Sequence, residues 1–213
     1  MLSISFSIVF WLASFASPAL LPSPQNAAQP SSAQSELEES DAIYKVIVDW
    51  RVVHPGEGPQ AGQLVLLDTT VPYSCLESQG KDCSADVRKQ LSNIFKKQAS
   101  EETIEDFLSR NSSTGPVSRT IPTELPQSFL SPAAEQKLFK SKHKDGWKTF
   151  YESYPKAGGI MAFSRVGFNK SRDQAVLYSQ ISCGWLCGTG HYHLLKKDSG
   201  KWTMVGNFMA WIS

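Results

Sequence analysis

The C-terminal quarter of the chain is a succession of strand-like segments separated by short turn signals. The segments are rich in β-branched and aromatic residues, which favour strands; they are IMAFSRVGF, QAVLYSQIS, HYHLLKK and KWTMVGNFMAWIS. Turn residues separate them at Asn169–Asp173, in CGWLCG and at Asp198–Gly200, a three-residue loop in which Gly200 supplies a positive φ. Because short turns join antiparallel neighbours, we predict an antiparallel β-meander here.

Helical patterns dominate the part of the chain before the meander. Ser84 and Ser100 are suited to cap two amphipathic helices, Ser131-Pro132 opens a third, and DGWKTFYESYP forms a fourth. The segment from Ser40 to Val53 is predicted to be a helix, although its β-branched residues leave a strand open. QLVLLDTT reads as a short buried strand. The predicted fold is α+β, with N-terminal helices and a short strand packed on the C-terminal antiparallel β-meander.

The start of the chain has the composition of an export signal. Leu2 to Leu21 contains no charged side chain, and small residues acceptable to a signal peptidase follow the apolar run. The lack of Lys or Arg before this run leaves an uncleaved membrane anchor open. We therefore predict a signal peptide over residues 1–19, a disordered Pro/Ser/Gln linker over 20–39 and one α+β domain over 40–213. The predicted location is periplasmic or extracellular.

The charge balance excludes one large class of partners. The chain has 21 basic and 20 acidic residues, for a net charge of +1, and no basic stripe with interleaved aromatics. Such a chain provides no field for nucleic acid, so we predict no nucleic-acid binding. No membrane contact is predicted beyond the possible N-terminal anchor.

Four cysteines form two local pairs in the sequence. Cys75 and Cys83 bracket a polar loop, and Cys183 and Cys187 bracket Gly-Trp-Leu. An exported chain meets an oxidising compartment, where an even number of cysteines usually pairs. Three connectivities are possible, and the two local bridges are favoured over long-range ones.

The segment CGWLCGTGHYH admits three interpretations. A redox site is disfavoured because three residues, rather than two, separate its cysteines. A metal site would use Cys183, Cys187, His191 and His193, but oxidation would leave only the two histidines. A bridged hairpin turn is favoured, in which the glycines supply backbone freedom and both histidines face solvent.

Trp185 lies at the predicted tip of that turn, where a core residue is unexpected. Rigid aromatic side chains are common binding anchors, so Trp185 and the adjacent Leu186 are predicted binding residues. The alternative is that the turn folds back and buries the indole.

No known catalytic motif is present: the sequence lacks a nucleophile elbow and a phosphate-binding loop. The predicted function is that of a non-catalytic binding or interaction module, whose partner is an unknown ligand or envelope protein. No cofactor is predicted. The alternative is a small hydrolytic or metal-dependent enzyme that uses His191 and His193, or His54.

The C-terminal pattern SRVGFN, QAVLY, CGWLCGTG, GKW and terminal WIS resembles a family of uncharacterised exported bacterial proteins. The similarity covers about residues 147–213. It implies export and a shared fold, and it carries over no activity and no catalytic residue.

The export interpretation predicts where the mature protein starts. Cleavage after the apolar run should place the mature N-terminus within Ser17–Gln29. N-terminal sequencing of the exported protein checks this. A protein that still begins at Met1 would favour the anchor.

Overall fold

The computed structural model describes residues 32–53, 62–73, 83–119, 121–140 and 145–213. These ranges contain five helices and seven strands, and the fold is α+β as predicted. The helices are α1 (Ser32–Val53), α2 (Ser84–Phe95), α3 (Glu101–Arg110), α4 (Pro132–Phe139) and α5 (Gly146–Ser153). The strands are β1 (Gln63–Leu67), β2 (Gln127–Leu130), β3 (Ala157–Phe163), β4 (Gly167–Phe168), β5 (Gln174–Gly184), β6 (Cys187–Asp198) and β7 (Lys201–Ile212).

All seven strands belong to one sheet, in the order β2-β1-β3-β5-β6-β7, with β4 paired to β5. Strands β3, β5, β6 and β7 are antiparallel neighbours, which confirms the predicted meander. Strand β1, however, runs parallel to both β2 and β3. Strand β2 has only four residues and follows Pro126 directly, so the sequence showed no strand pattern there and its pairing with β1 was not predicted.

The sheet separates two layers of helices. On one face, Ile43 and Ile47 of α1 pack against a set of buried sheet residues that includes Leu66, Phe163 and Leu177. The opposite face is covered by α2 and α3 over β5 and β6, and by α4 and α5 over β1 and β3. Each fully buried large apolar side chain contributes about 1.5–3 kcal/mol, so these two interfaces supply most of the driving force for folding.

Helix α1 begins at Ser32, so its first eight residues lie in the segment 20–39 that was predicted as linker. The early turns are held by ion pairs that sequence patterns do not show. Glu39 accepts hydrogen bonds from Arg172 Nε at 2.6 Å and Lys197 Nζ at 2.5 Å, and Glu36 pairs with Arg110. Burial acts to raise the pKa of Glu39, but these two donors outweigh it and hold the pKa below its usual value. The predicted signal peptide and the rest of the linker lie outside the described residues.

Local signals predicted some boundaries better than others. Ser100 and Ser131 cap α3 and α4 by accepting from Thr103 N and Ala134 N. The predicted Ser84 cap is wrong, because Cys83 occupies the N-cap position of α2 without a side-chain hydrogen bond. In the last hairpin, Gly200 has φ +80° as predicted, but the loop contains two residues rather than three, since Asp198 pairs with Lys201. None of the described helices is long and apolar enough to cross a membrane.

Gly190 of β6 marks a close contact between the sheet and two aromatic side chains. The Trp211 indole N–H donates to the Tyr178 hydroxyl at 2.6 Å. An ideal Cβ at Gly190 would lie 2.1 Å from Trp211 Nε1 and 2.4 Å from the Tyr178 hydroxyl. The glycine is therefore needed for space, because any side chain would displace this hydrogen-bonded pair.

We expect Gly190→Ala to destabilise the fold by at least about 2 kcal/mol, through overpacking and loss of the indole–phenol hydrogen bond. Equilibrium denaturation in urea measures this. The control is Gly62→Ala, whose Cβ would meet its nearest neighbour at an ordinary 3.5 Å. Equal effects of the two substitutions would contradict the packing argument.

Candidate functional site

The turn between β5 and β6 is closed by a disulfide. Cys183 and Cys187 are bonded, with their Cα atoms 5.0 Å apart. This is the local pairing, rather than a long-range bridge to the N-terminal half. Both sulfurs are therefore bonded to each other and do not serve as thiolate metal ligands.

The geometry of the turn differs from the predicted three-residue loop. Gly184 pairs directly with Cys187, so Trp185 and Leu186 alone form the turn, and a register shift between Ser182 and Gly184 accommodates Cys183. Gly184, Gly188 and Gly190 all have negative φ, so the prediction that they supply backbone freedom is wrong. Gly190, as described above, makes room for neighbouring side chains instead.

The base of the hairpin is fixed to the rest of the fold. Tyr151 of α5 donates its hydroxyl to the carbonyl of Cys183 at 2.9 Å. Gly159 of β3 has φ +132°, and an ideal Cβ there would lie 2.4 Å from Ser182 O. This close approach of β3 requires glycine, and it holds the last residues of β5 in place.

The two turn residues project into solvent. Trp185 is 67% exposed and Leu186 is 88% exposed, so the turn does not bury the indole. Phe139 at the end of α4 meets the Trp185 ring edge-on, with centroids 6.1 Å apart. We call Trp185 and Leu186 the tip; it presents two apolar side chains on a covalently closed, packed support.

His191 and His193 lie in a buried polar cluster, and the prediction that they face solvent is wrong. Each is 1% exposed, because the C-terminal half of α1 covers this face of β6. The Trp50 ring lies 6.0 Å and 6.2 Å from the two imidazoles. Strand β6 is covered on both faces, so the alternation that predicted one solvent face does not apply.

The cluster has specific hydrogen bonds. His193 Nε2 lies 2.8 Å from the Ser179 hydroxyl, and His191 Nδ1 lies 3.0 Å from the Asn207 side-chain oxygen. Arg51 of α1 donates to the Thr189 hydroxyl at 2.7 Å. No sequence pattern indicated Ser179, Asn207 or Arg51, since only the strand register and the packing of α1 bring them together.

Burial lowers the pKa of His193 well below its usual value, and the nearby His191 and Arg51 lower it further. His193 is therefore neutral in the folded protein. Its Nδ1 has no hydrogen-bond partner in the described part of the chain. A serine beside a neutral histidine resembles a nucleophile and its base, but Ser179 is fully buried and a substrate cannot reach it while α1 is in place.

Within the described residues, no group of three or more His, Cys, Asp and Glu side chains is arranged to hold a metal ion. Cys83 is buried and disulfide-bonded. Cys75 and His54 lie outside the described residues, so the Cys75–Cys83 pairing and the role of His54 stay predictions.

No known protein family matches the chain, and no curated protein or solved structure shows significant similarity to it. The resemblance of the C-terminal pattern to exported bacterial proteins therefore stays a prediction.

The neutral His193 predicts a dependence of stability on pH. Below the unfolded pKa of about 6.5 the unfolded chain gains a proton that the native protein does not, so the free energy of unfolding should fall by up to about 1.4 kcal/mol per pH unit. This contribution is fully present above that pH and is lost as the pH falls towards the folded pKa. Urea denaturation of wild type and His193→Gln between pH 7 and pH 5 measures it, and the variant should show the shallower slope. Parallel slopes would mean that His193 is protonated in the native state.

Proposed function

We propose that the protein is an exported, disulfide-stapled binding module of the bacterial envelope that contacts its partner through the tip. The observation that carries this proposal is the exposure of Trp185 and Leu186 on a closed, two-residue turn. Isolated apolar residues are common on protein surfaces, but a Trp and a Leu at the end of a long hairpin are placed to be buried by something else.

The support of the tip favours binding. The disulfide and the packing of Cys183 and Ser182 against α5 and β3 limit the motion of the turn before any partner arrives. A preorganised aromatic group loses little conformational entropy on binding, which is why Trp is common at the centre of interfaces. The edge-on contact with Phe139 further fixes the orientation of the indole.

Two side chains alone are too few for a stable protein interface, which buries about 800 Å² per partner. Further exposed apolar side chains lie on β7, the strand at the edge of the sheet. Ile212 is 70% exposed and pairs with Thr189, close to the base of the tip. Val205, Phe208 and Met209 are also exposed. The proposed contact surface therefore consists of the tip and Ile212 near its base.

The alternative of an enzyme has less support in the geometry. Its histidines in the described region are buried under α1, and their ring nitrogens lie within hydrogen-bond distance of Ser179 and Asn207. Such bonds satisfy imidazoles within a core.

The exposed tip predicts a near-neutral effect on stability. Trp185→Ala should change the free energy of unfolding by less than about 1 kcal/mol, whereas a buried Trp costs about 3–5 kcal/mol. Chemical denaturation with the disulfides intact measures this. A loss of several kcal/mol would assign the indole to the core and end the proposal.

Binding is tested with the same substitution. The immobilised protein is exposed to an envelope extract, and the retained partners are quantified for wild type, Trp185→Ala and Leu186→Ala. Leu37→Ala is the matched control, because Leu37 is 49% exposed and lies on α1, away from the tip. The tip variants should lose a partner that wild type and the control retain; equal retention by all four proteins would contradict the proposal.

A further inference from the structure

The end of the β5–β6 hairpin carries no charged side chain. From Gln174 to Gly190 the chain contains no Asp, Glu, Lys or Arg, and this stretch includes the exposed Trp185 and Leu186 of the tip. A charge is costly to move into hydrocarbon, so its absence allows this end of the hairpin to enter an apolar phase. The turn itself has only two residues, so few backbone polar groups would enter with it.

The helices beside the tip carry exposed positive charge. Phe139 of α4 contacts the Trp185 ring and also the Trp147 ring of α5, the latter with centroids 5.0 Å apart. Exposed lysines lie within two residues of Phe139 or Trp147 in the sequence; they are Lys137, Lys140 and Lys148. None of these three lysines forms an ion pair within the described part of the chain, so their charges are available to an anionic partner.

The excess of positive charge is local to this part of the chain. Residues 132–156, which contain α4 and α5, have six lysines and three acidic residues, a net charge of +3. The whole chain has a net charge of +1, so the remainder of the chain is net negative. The overall charge balance hides this asymmetry, and the sequence therefore predicted no membrane contact for the domain.

A lipid bilayer fits this surface better than a protein does. Two apolar side chains are too few for a stable protein interface, whereas lipids rearrange around a small inserted group and need no complementary pocket. Trp is enriched at membrane interfaces because its ring is apolar and its indole N–H is polar. Lysines beside an inserted apolar group attract anionic headgroups.

We infer that the tip inserts into the interfacial region of an anionic lipid bilayer, with the three lysines at the level of the headgroups. The Cys183–Cys187 disulfide and the hydrogen bond from Tyr151 to the Cys183 carbonyl hold the turn, so it enters the bilayer as a preformed wedge. This inference rests on the proposed function, in which the tip is the contact surface, and it names a membrane as the partner.

Co-sedimentation of the exported protein with phosphatidylcholine vesicles that contain about 30% phosphatidylglycerol tests the inference. The wild type should bind, and the double variant Trp185→Ala/Leu186→Ala should bind about tenfold more weakly or less, because the apolar groups that enter the bilayer are lost. Leu37→Ala is the control, since Leu37 is 49% exposed on α1, and it should bind as the wild type does.

The contribution of charge is tested with a second variant. Replacement of Lys137, Lys140 and Lys148 together by Gln should weaken binding to the anionic vesicles at least about tenfold. The same variant should bind vesicles of phosphatidylcholine alone as weakly as the wild type does. Lys201→Gln is the matched control, because the exposed Lys201 lies at the opposite end of β6 from the tip.

Insertion of the indole itself is tested with Trp185→Phe. This variant keeps an aromatic ring and should bind within about threefold of the wild type. Quenching of Trp fluorescence by lipids brominated on their acyl chains should be seen in the wild type and largely lost in Trp185→Phe, since the other described tryptophans are buried or half-buried. Undiminished quenching in Trp185→Phe would overturn the inference.

Three further outcomes would overturn the inference: no vesicle binding by the wild type, equal binding by the double tip variant, or equal binding to vesicles with and without phosphatidylglycerol. Retention of a protein from a detergent-solubilised envelope by the wild type but not by the tip variants, without vesicle binding, would also overturn it and would leave the proposed function intact. Failure in both assays would remove the proposed function as well.

Discussion

The packing of α1 across one face of the sheet is the contact on which the rest of the structure depends. The helix contains 22 residues and is about 33 Å long, so a single element covers strands from β1 to β6. Its two ends are fixed by polar contacts, Glu36 and Glu39 at the start and Arg51 near the end. Burial of apolar side chains in the middle of α1 stabilises its packing on the sheet. The polar contacts at its two ends fix the position of the helix.

Helix α1 forms part of two polar regions inside the described structure, a cavity and the buried histidine cluster. Near its N-terminal half, α1 lines a polar cavity of about 270 Å³ with Glu36, Asp41 and Tyr44. Near its C-terminal half it covers the two imidazoles with Trp50 and excludes solvent from them. The hairpin tip differs from both, since its apolar residues point away from the domain and are held by a covalent bond.

The sequence predicted the parts of this structure that depend on neighbouring residues. Strand-like segments with short turns predicted the meander, Ser100 and Ser131 predicted their caps, and Gly200 predicted its positive φ. The parallel pairing of β1 with β2 was missed because it joins residues more than 60 positions apart, as Leu64 with Gln127. His191 and His193 were predicted to face solvent because the segment HYHLL does not show that α1, which is distant in the sequence, covers the strand.

At the candidate site, local spacing predicted the bridged turn and its exposed Trp185, but not its support by Tyr151 and Gly159. The glycines of the turn were assigned to torsional freedom, whereas Gly190 serves to admit the rings of Trp211 and Tyr178. The sequence does not show whether a glycine supplies backbone freedom or space for neighbouring side chains; only its neighbours in the folded structure distinguish the two roles.

The edge strand β7 has no charged residue from Trp202 to Ile212, which would ordinarily make it a template for uncontrolled association of sheets. Its two register shifts against β6 place Val205 and Ala210 as extra residues. Such bulges bend the strand and interrupt the repeat of backbone donors and acceptors, so that only Gly206–Met209 lies in regular register between them. The two bulges of β7 therefore protect this edge of the sheet against aggregation, a role that charged residues often have. The apolar side chains of the strand are retained.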